Sequence, residues 1–129
     1  MEELKTYCID SDILIDYLRG FEEARRFLIR ASRETILLIS IVSVVEIYAG
    51  KDTRDIEKKR LIDEFFGNFQ IIDLSFPVAK RAGELRRDLQ KPFADMIIAA
   101  SSLESNAILV TKNNKHFQGI NRLKVLRPY

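Results

Sequence analysis

Thr35-Ile36-Leu37-Leu38-Ile39-Ser40, followed at once by Ile41-Val42-Ser43-Val44-Val45-Glu46-Ile47-Tyr48-Ala49-Gly50, decides how this chain folds. In the first six residues the interior positions are apolar on both alternating faces, which reads as a strand covered above and below. Residues 42–49 read as a short helix closed by Gly50. The apolar run breaks at Glu46, short of the ~20 residues needed to cross a bilayer. A strand buried on both faces belongs to a parallel sheet with helices on each side.

The same alternation continues outward. Residues 4–9 read as a strand ending at Asp10, and Ile13, Leu14, Tyr17 and Leu18 then recur on one helix face up to Gly20. A second helix spans 21–31, with Ala24, Phe27, Leu28 and Ala31 on one side. Downstream, the charge-laced stretch 54–66 repeats Ile56, Leu61, Ile62, Phe65 and Phe66 as an amphipathic helix, and 69–74 is a third strand. Pro77 opens a helix carrying Ala79, Ala82, Leu85 and Leu89. Pro92 precedes a helix over 94–103, and 107–110 and 123–126 are the last strands. Neither a repeat nor a linker interrupts this order. The expectation is a three-layer α/β/α sandwich with a central, mostly parallel sheet of about five strands, one domain over the whole chain.

Composition narrows the function classes. With 129 residues, 47% of them hydrophobic, the chain suits a single core, and 31% charge argues against a membrane protein. One cysteine, Cys8, and one histidine exclude an internal disulfide framework and a Cys/His zinc site. Cys8 itself reads as a small buried hydrophobe. Met1-Glu2-Glu3-Leu4-Lys5 does not resemble a signal peptide, so a cytoplasmic protein without membrane contact is expected. The net charge of +2 hides an uneven distribution. Residues 1–50 hold nine acids against six bases, whereas Lys112, Lys115, Arg122, Lys124 and Arg127 crowd the last 18 residues without an acid. Such an end is either a solvated surface or a contact for an anionic partner.

Parallel sheets bind ligands outside the carboxyl ends of their strands, which directs attention to the residues there. Asp10-Ser11-Asp12 follows the first strand, as helix caps or as ligands. Asp16, one helical turn beyond Asp12, is expected to be exposed. Glu46 sits among apolar neighbours with no base in its own segment, so either a distant Arg or Lys reaches it or it coordinates something. Asp95 opens the apolar helix Met96-Ile97-Ile98-Ala99-Ala100, where the helix dipole favours an acid. Thr111-Lys112-Asn113-Asn114 follows the fourth strand. Three carboxylates meeting at one edge raise one another's pKa unless a cation sits among them. Hard Mg2+ or Mn2+ suits oxygen donors and phosphodiester substrates. Arg86 and Arg87 face either a groove or solvent. Tyr48 and Phe93 are assigned to core packing, with base stacking as the alternative.

Four segments carry a resemblance. Asp10-Ser11-Asp12-Ile13-Leu14-Ile15-Asp16, Ser43-Val44-Val45-Glu46-Ile47-Tyr48-Ala49-Gly50, Ala94-Asp95-Met96-Ile97-Ile98-Ala99-Ala100 and Val110-Thr111-Lys112-Asn113-Asn114-Lys115-His116-Phe117 resemble the motifs of PIN-domain ribonucleases. Their order and spacing, and the chain length, are most similar to VapC toxins of toxin–antitoxin pairs. The resemblance implies a Mg2+- or Mn2+-dependent endoribonuclease, a homodimer held inactive by a VapB-type antitoxin. Carried over by position, Asp10, Glu46 and Asp95 become metal ligands, and Ser11 a hydroxyl that orients the acids or a water. The family often has a fourth acid after the fourth strand, where this chain has Asn113 and Asn114, with His116 ahead of Phe117. Asp12 restores one negative charge. Asp12 and Asn113 are therefore added as candidate ligands, and His116 is taken as structural or RNA-facing. Lys112, Lys115 and Arg122 are expected to hold RNA phosphates at the same sheet edge. Apolar side chains around Phe65, Phe66, Phe76 and Leu85 are left for a partner or a second copy. Two other readings stand beside this one. The first is a PIN nuclease of RNA processing or decay without an antitoxin. The second is a receiver-like phospho-signalling domain, with Asp73 as phosphoryl acceptor and Thr111 as its hydroxyl.

Overall fold

The computed structural model describes residues 4–129. Along the chain run β1 (Lys5–Ile9), α1 (Ser11–Leu18), α2 (Glu22–Glu34), β2 (Thr35–Ser40), α3 (Ile41–Ala49) and α4 (Ile56–Phe65). Then follow β3 (Phe69–Ile72), α5 (Phe76–Leu89), α6 (Phe93–Glu104), β4 (Ile108–Val110) and β5 (Val125–Leu126). Short 3-10 turns occupy Lys51–Arg54, Phe66–Asn68 and Asn114–Phe117.

All strand pairs are parallel, in the order β3-β2-β1-β4-β5. The α/β/α expectation holds. Strand alternation explains why. Cys8, Leu38 and Leu109 enter one core with Met96, Ile98 and Ala99 of α6, while Ile9, Ile39 and Val110 enter the other with Ile13, Leu14, Leu28, Ile47 and Ile62. Successive residues of one strand point to opposite faces, so both sides of the sheet need covering. Burial pushes the Cys8 thiol up to about 11, so it behaves as an inert hydrophobe.

The strand order reverses direction at β1, whose neighbours are β2 on one side and β4 on the other. Such a reversal opens a crevice at the carboxyl ends of the two central strands. Ile9 pairs with Val110, and the Asp10 amide donates to the Val110 carbonyl at 2.9 Å, so Asp10 and Thr111 leave the sheet side by side. A receiver-like domain has its third strand beside its first. Here β3 is the edge strand and Asp73 just beyond it is exposed, which corrects the phospho-signalling alternative.

The remaining differences are local. The last strand shrinks to two residues and the third ends at Ile72. Helix α4 begins at Ile56, two residues inside the expected 54–66 stretch, because Asp55 caps it, accepting from the Lys58 amide at 3.1 Å. Phe65 and Phe66 are not a free apolar face. They pack against Tyr17, Tyr48 and Phe69 at ring separations of 4.7–5.9 Å. Phe76 is exposed, at 81%. No helix among the described residues is long and apolar enough to cross a membrane.

Candidate active site

Three helices bring carboxylates to the crevice, α1 and α6 from their starts and α3 from its interior. Asp10 is the N-cap of α1; its Oδ1 accepts the Ser11 amide at 2.8 Å and its Oδ2 the Thr111 hydroxyl at 2.8 Å. Ser40 caps α3, accepting the Val42 amide at 3.2 Å, and so fixes the helix that carries Glu46. Asp95 lies in the first turn of α6, whose N-cap is Pro92.

The side chains are linked in a chain of contacts. Ser11 donates its hydroxyl to Glu46 Oε1 at 3.2 Å. Asp12 Oδ2 accepts the Lys112 amide at 2.9 Å and stands 3.4 Å from Thr111 Oγ1, while Asp12 Oδ1 is buried with no partner. His116 Nδ1 lies 3.2 Å from Asp95 Oδ2. Neither Lys nor Arg pairs with Asp10, Asp12, Glu46 or Asp95 among the described residues. Nor do any three His, Cys, Asp or Glu side chains among them stand close enough together to hold a metal ion as placed. Instead the acids couple through hydroxyls and through their charge.

That charge has no Lys or Arg salt bridge among the described residues. Burial, with Asp12 and then Glu46 adding repulsion, pushes Asp10 up to about 7 against the opposing hydrogen bonds from Thr111 and Ser11. Asp12 is raised by burial, more than the amide and the charge of Lys112 offset. Glu46 is raised by burial and by Asp95 and Asp12, partly offset by Ser11. No Lys or Arg among the described residues reaches Glu46, and Asp10 is a helix cap as well as a member of the acid group.

Other expectations fail in instructive ways. Asp16 is largely buried, its side chain 19% exposed; it pairs with the Lys112 ammonium and accepts the Tyr129 hydroxyl at 2.8 Å. Lys112 therefore lies over the Phe21 and Tyr129 rings, at 6.0 and 5.7 Å, rather than standing free for a phosphate. Arg122 is not at the acid edge. It lines a cleft with Lys5, Thr6, Asn106 and Lys124 at the amino ends of β1 and β4. The reason is topological: a parallel β5 forces the chain back to the opposite end of the sheet before residue 125. Lys115 is exposed on the turn Asn114–Phe117. Asn113 enters through its backbone, its amide donating to Thr111 Oγ1 at 3.0 Å while its side chain is exposed. Phe93 is 63% exposed rather than packed in the core.

Sequence reasoning missed two contacts, Thr111 to Asp10 and His116 to Asp95. Both residues sit in the loop after β4, which the edge rule already pointed to, and Thr111 is the first residue beyond that strand.

A five-stranded parallel sheet with carboxylates gathered at its switch point is the arrangement of a PIN domain. The PIN domain family model matches residues 7–123, and the chain belongs to that family. Within it, the likeness runs to VapC proteins. The chain is 31% identical to Ribonuclease VapC10 of Mycobacterium tuberculosis over 121 residues, 90% of this chain and 89% of that one. To Ribonuclease VapC2 of Rickettsia felis it is 29% identical over 126 residues, 91% and 93% of the two chains. A toxin-antitoxin complex from Klebsiella pneumoniae superposes with a TM-score of 0.78 at 27% identity, covering 97% of this chain and 98% of that one. VapBC2 from Rickettsia felis, bound to a DNA fragment from its promoter, superposes at 0.79 with 24% identity, covering 94% and 97%. The resemblance carried by the four motifs holds.

Proposed function

We propose that this chain is a divalent-metal-dependent endoribonuclease, the toxin of a toxin–antitoxin pair. One observation carries the reading: Asp10, Asp12, Glu46 and Asp95 share an electrostatic site that no Lys or Arg among the described residues pairs with, and Asp12 Oδ1 is buried and unsatisfied. An all-oxygen donor set with surplus negative charge fits a hard cation and not zinc.

Asp10, Glu46 and Asp95 would hold Mg2+ or Mn2+, with Asp12 as a further donor. When bound, the ion supplies Lewis acidity toward the scissile phosphate and acidifies the attacking water. The chain's own groups keep the donors in place. Thr111 anchors Asp10, Ser11 bridges to Glu46, and His116 holds Asp95 from the solvent side. Asn113 supports Thr111 through its amide, and Lys115 is the basic residue of this loop free to meet an RNA phosphate. Relatives named as ribonucleases support RNA as the substrate, and the toxin–antitoxin complex at 27% identity supports a VapB-type partner. A homodimer working in the cytoplasm, with one PIN domain over residues 1–129, completes the reading.

The test is RNA cleavage by purified chain in Mg2+, Mn2+ and chelator. Cleavage should require the ion and fall by at least ~1000-fold in Asp10→Asn or Asp95→Asn. Cleavage that persists in chelator, or at wild-type rate in either variant, overturns the assignment.

A further inference from the structure

We infer that Phe93 and Arg86 form a nucleobase-stacking and phosphate-holding subsite for single-stranded RNA, flanking the acid pocket. The inference rests on the ribonuclease reading and deepens it by saying how the substrate strand is gripped. Phe93 is the first residue of α6, two positions before Asp95, and leaves a large part of its ring open to solvent. An aromatic ring so exposed forgoes the burial that usually places phenylalanine in a core.

Arg86, from the facing helix α5, lays its guanidinium over that ring at 4.9 Å from the centroid. Its Nε is buried and has no hydrogen-bond partner. The other arginines of α5 are committed, Arg81 to Glu104 at 2.8 Å and Arg87 to Asp88 at 2.8 Å. Arg86 has no carboxylate partner among the described residues. With Nε buried, the donors that this stacked guanidinium offers an anion are its terminal Nη groups, and a ring beside it presents a flat apolar surface.

The platform is fixed relative to the acids. Lys91, in the loop between α5 and α6, donates its ammonium to the Gln118 carbonyl at 2.7 Å and to the Lys115 carbonyl at 3.4 Å. Those carbonyls belong to the same loop that carries His116 against Asp95. Lys91 and Lys115 also lack carboxylate partners among the described residues, so positive charge continues from Arg86 toward the acid pocket. Unpaired nucleotides are recognised through this combination, bases stacked on aromatic or guanidinium planes and phosphates held by cations. A double-stranded RNA keeps its bases stacked and cannot use the ring.

The test is equilibrium binding of a fluorescein-labelled single-stranded RNA in chelator, where nothing is cleaved. Phe93→Ala should weaken binding about ten-fold, Phe93→Trp should preserve it, and Phe93→Leu should lose as much as Ala. Arg86→Gln should reduce the slope of log Kd against log salt by about 0.7. A labelled RNA duplex should be indifferent to Phe93→Ala. Thermal unfolding of each variant is followed alongside. Equal single-strand affinity in Phe93→Ala, full rescue by Leu, or an unchanged salt slope in Arg86→Gln overturns the subsite. Phe93→Ala that spares RNA binding but weakens an antitoxin segment assigns the surface to a protein partner and likewise overturns it. Metal-dependent cleavage is measured separately. A chain that binds RNA through Phe93 yet cleaves none refutes the ribonuclease reading and leaves the subsite standing.

Discussion

Asp10 concentrates the chemistry of the site at a single residue. It retains a proton up to about pH 7 in the folded chain, whereas an unfolded aspartate releases its proton near 3.8. Between those values the folded state binds more protons than the unfolded, so stability falls as pH rises through that window. In chelator, the Tm should therefore decline from about pH 4 to about pH 7. Asp12 and Glu46, raised for the same reason, add to the decline. Asp10→Asn should flatten the curve and raise the Tm at neutral pH, and added Mn2+ should restore the wild-type Tm. Thr111→Val keeps the buried shape but removes the hydroxyl that anchors Asp10, so Mn2+ affinity and cleavage should drop roughly 10–100-fold with little change of fold. Individual acids were legible as candidates because each breaks an apolar pattern, Asp10 at a strand end, Glu46 within a helix and Asp95 at a helix start. Their partners were not, since Thr111 and Asp10 lie 101 positions apart and local pattern carries no such pairing.

At the level of elements, the helix starts govern the site. Ser40 closes β2 and caps α3, so Ser40→Ala should cost about 1 kcal/mol in chemical denaturation and also slow cleavage, because α3 carries Glu46. Ser75→Ala is the control. It removes an equivalent cap on α5, which bears no acid of the site, and should lower stability while sparing the chemical step. Element types were legible because period and strand burial agree: residues 35–40 read as a buried strand and form β2 over the same span. Ends were less so. Asp55 sets the start of α4 by a side-chain bond, and the two-residue β5 is held by pairing to β4, neither of which leaves a periodic signature. Phe93 reads as core by hydrophobicity alone, and only its position at the first turn of α6 leaves it open.

Across the whole molecule, strand order decides which distant segments meet. The β1–β4 neighbourhood places the first and fourth motifs together, while α3 and α6 bring the second and third over the same edge. The parallel sheet was readable, but the return path that carries Arg122 to the opposite end was not, because charge clusters in sequence need not cluster in space. The basic end divides accordingly: Lys112 is spent on Asp16, whereas Lys115 faces outward. Lys115→Ala should thus weaken RNA binding and its salt dependence more than Arg122→Ala does, measured by anisotropy at two salt concentrations. What unites these scales is the proposed cation site, built from carboxylates that no Lys or Arg among the described residues pairs with. Calorimetric titration of Mn2+ into the chelator-stripped chain measures it directly. Binding that weakens about 100-fold or more in both Asp10→Asn and Asp95→Asn is the expected result. Equal Mn2+ affinity in wild type and both variants would put the ion elsewhere and contradict the assigned site.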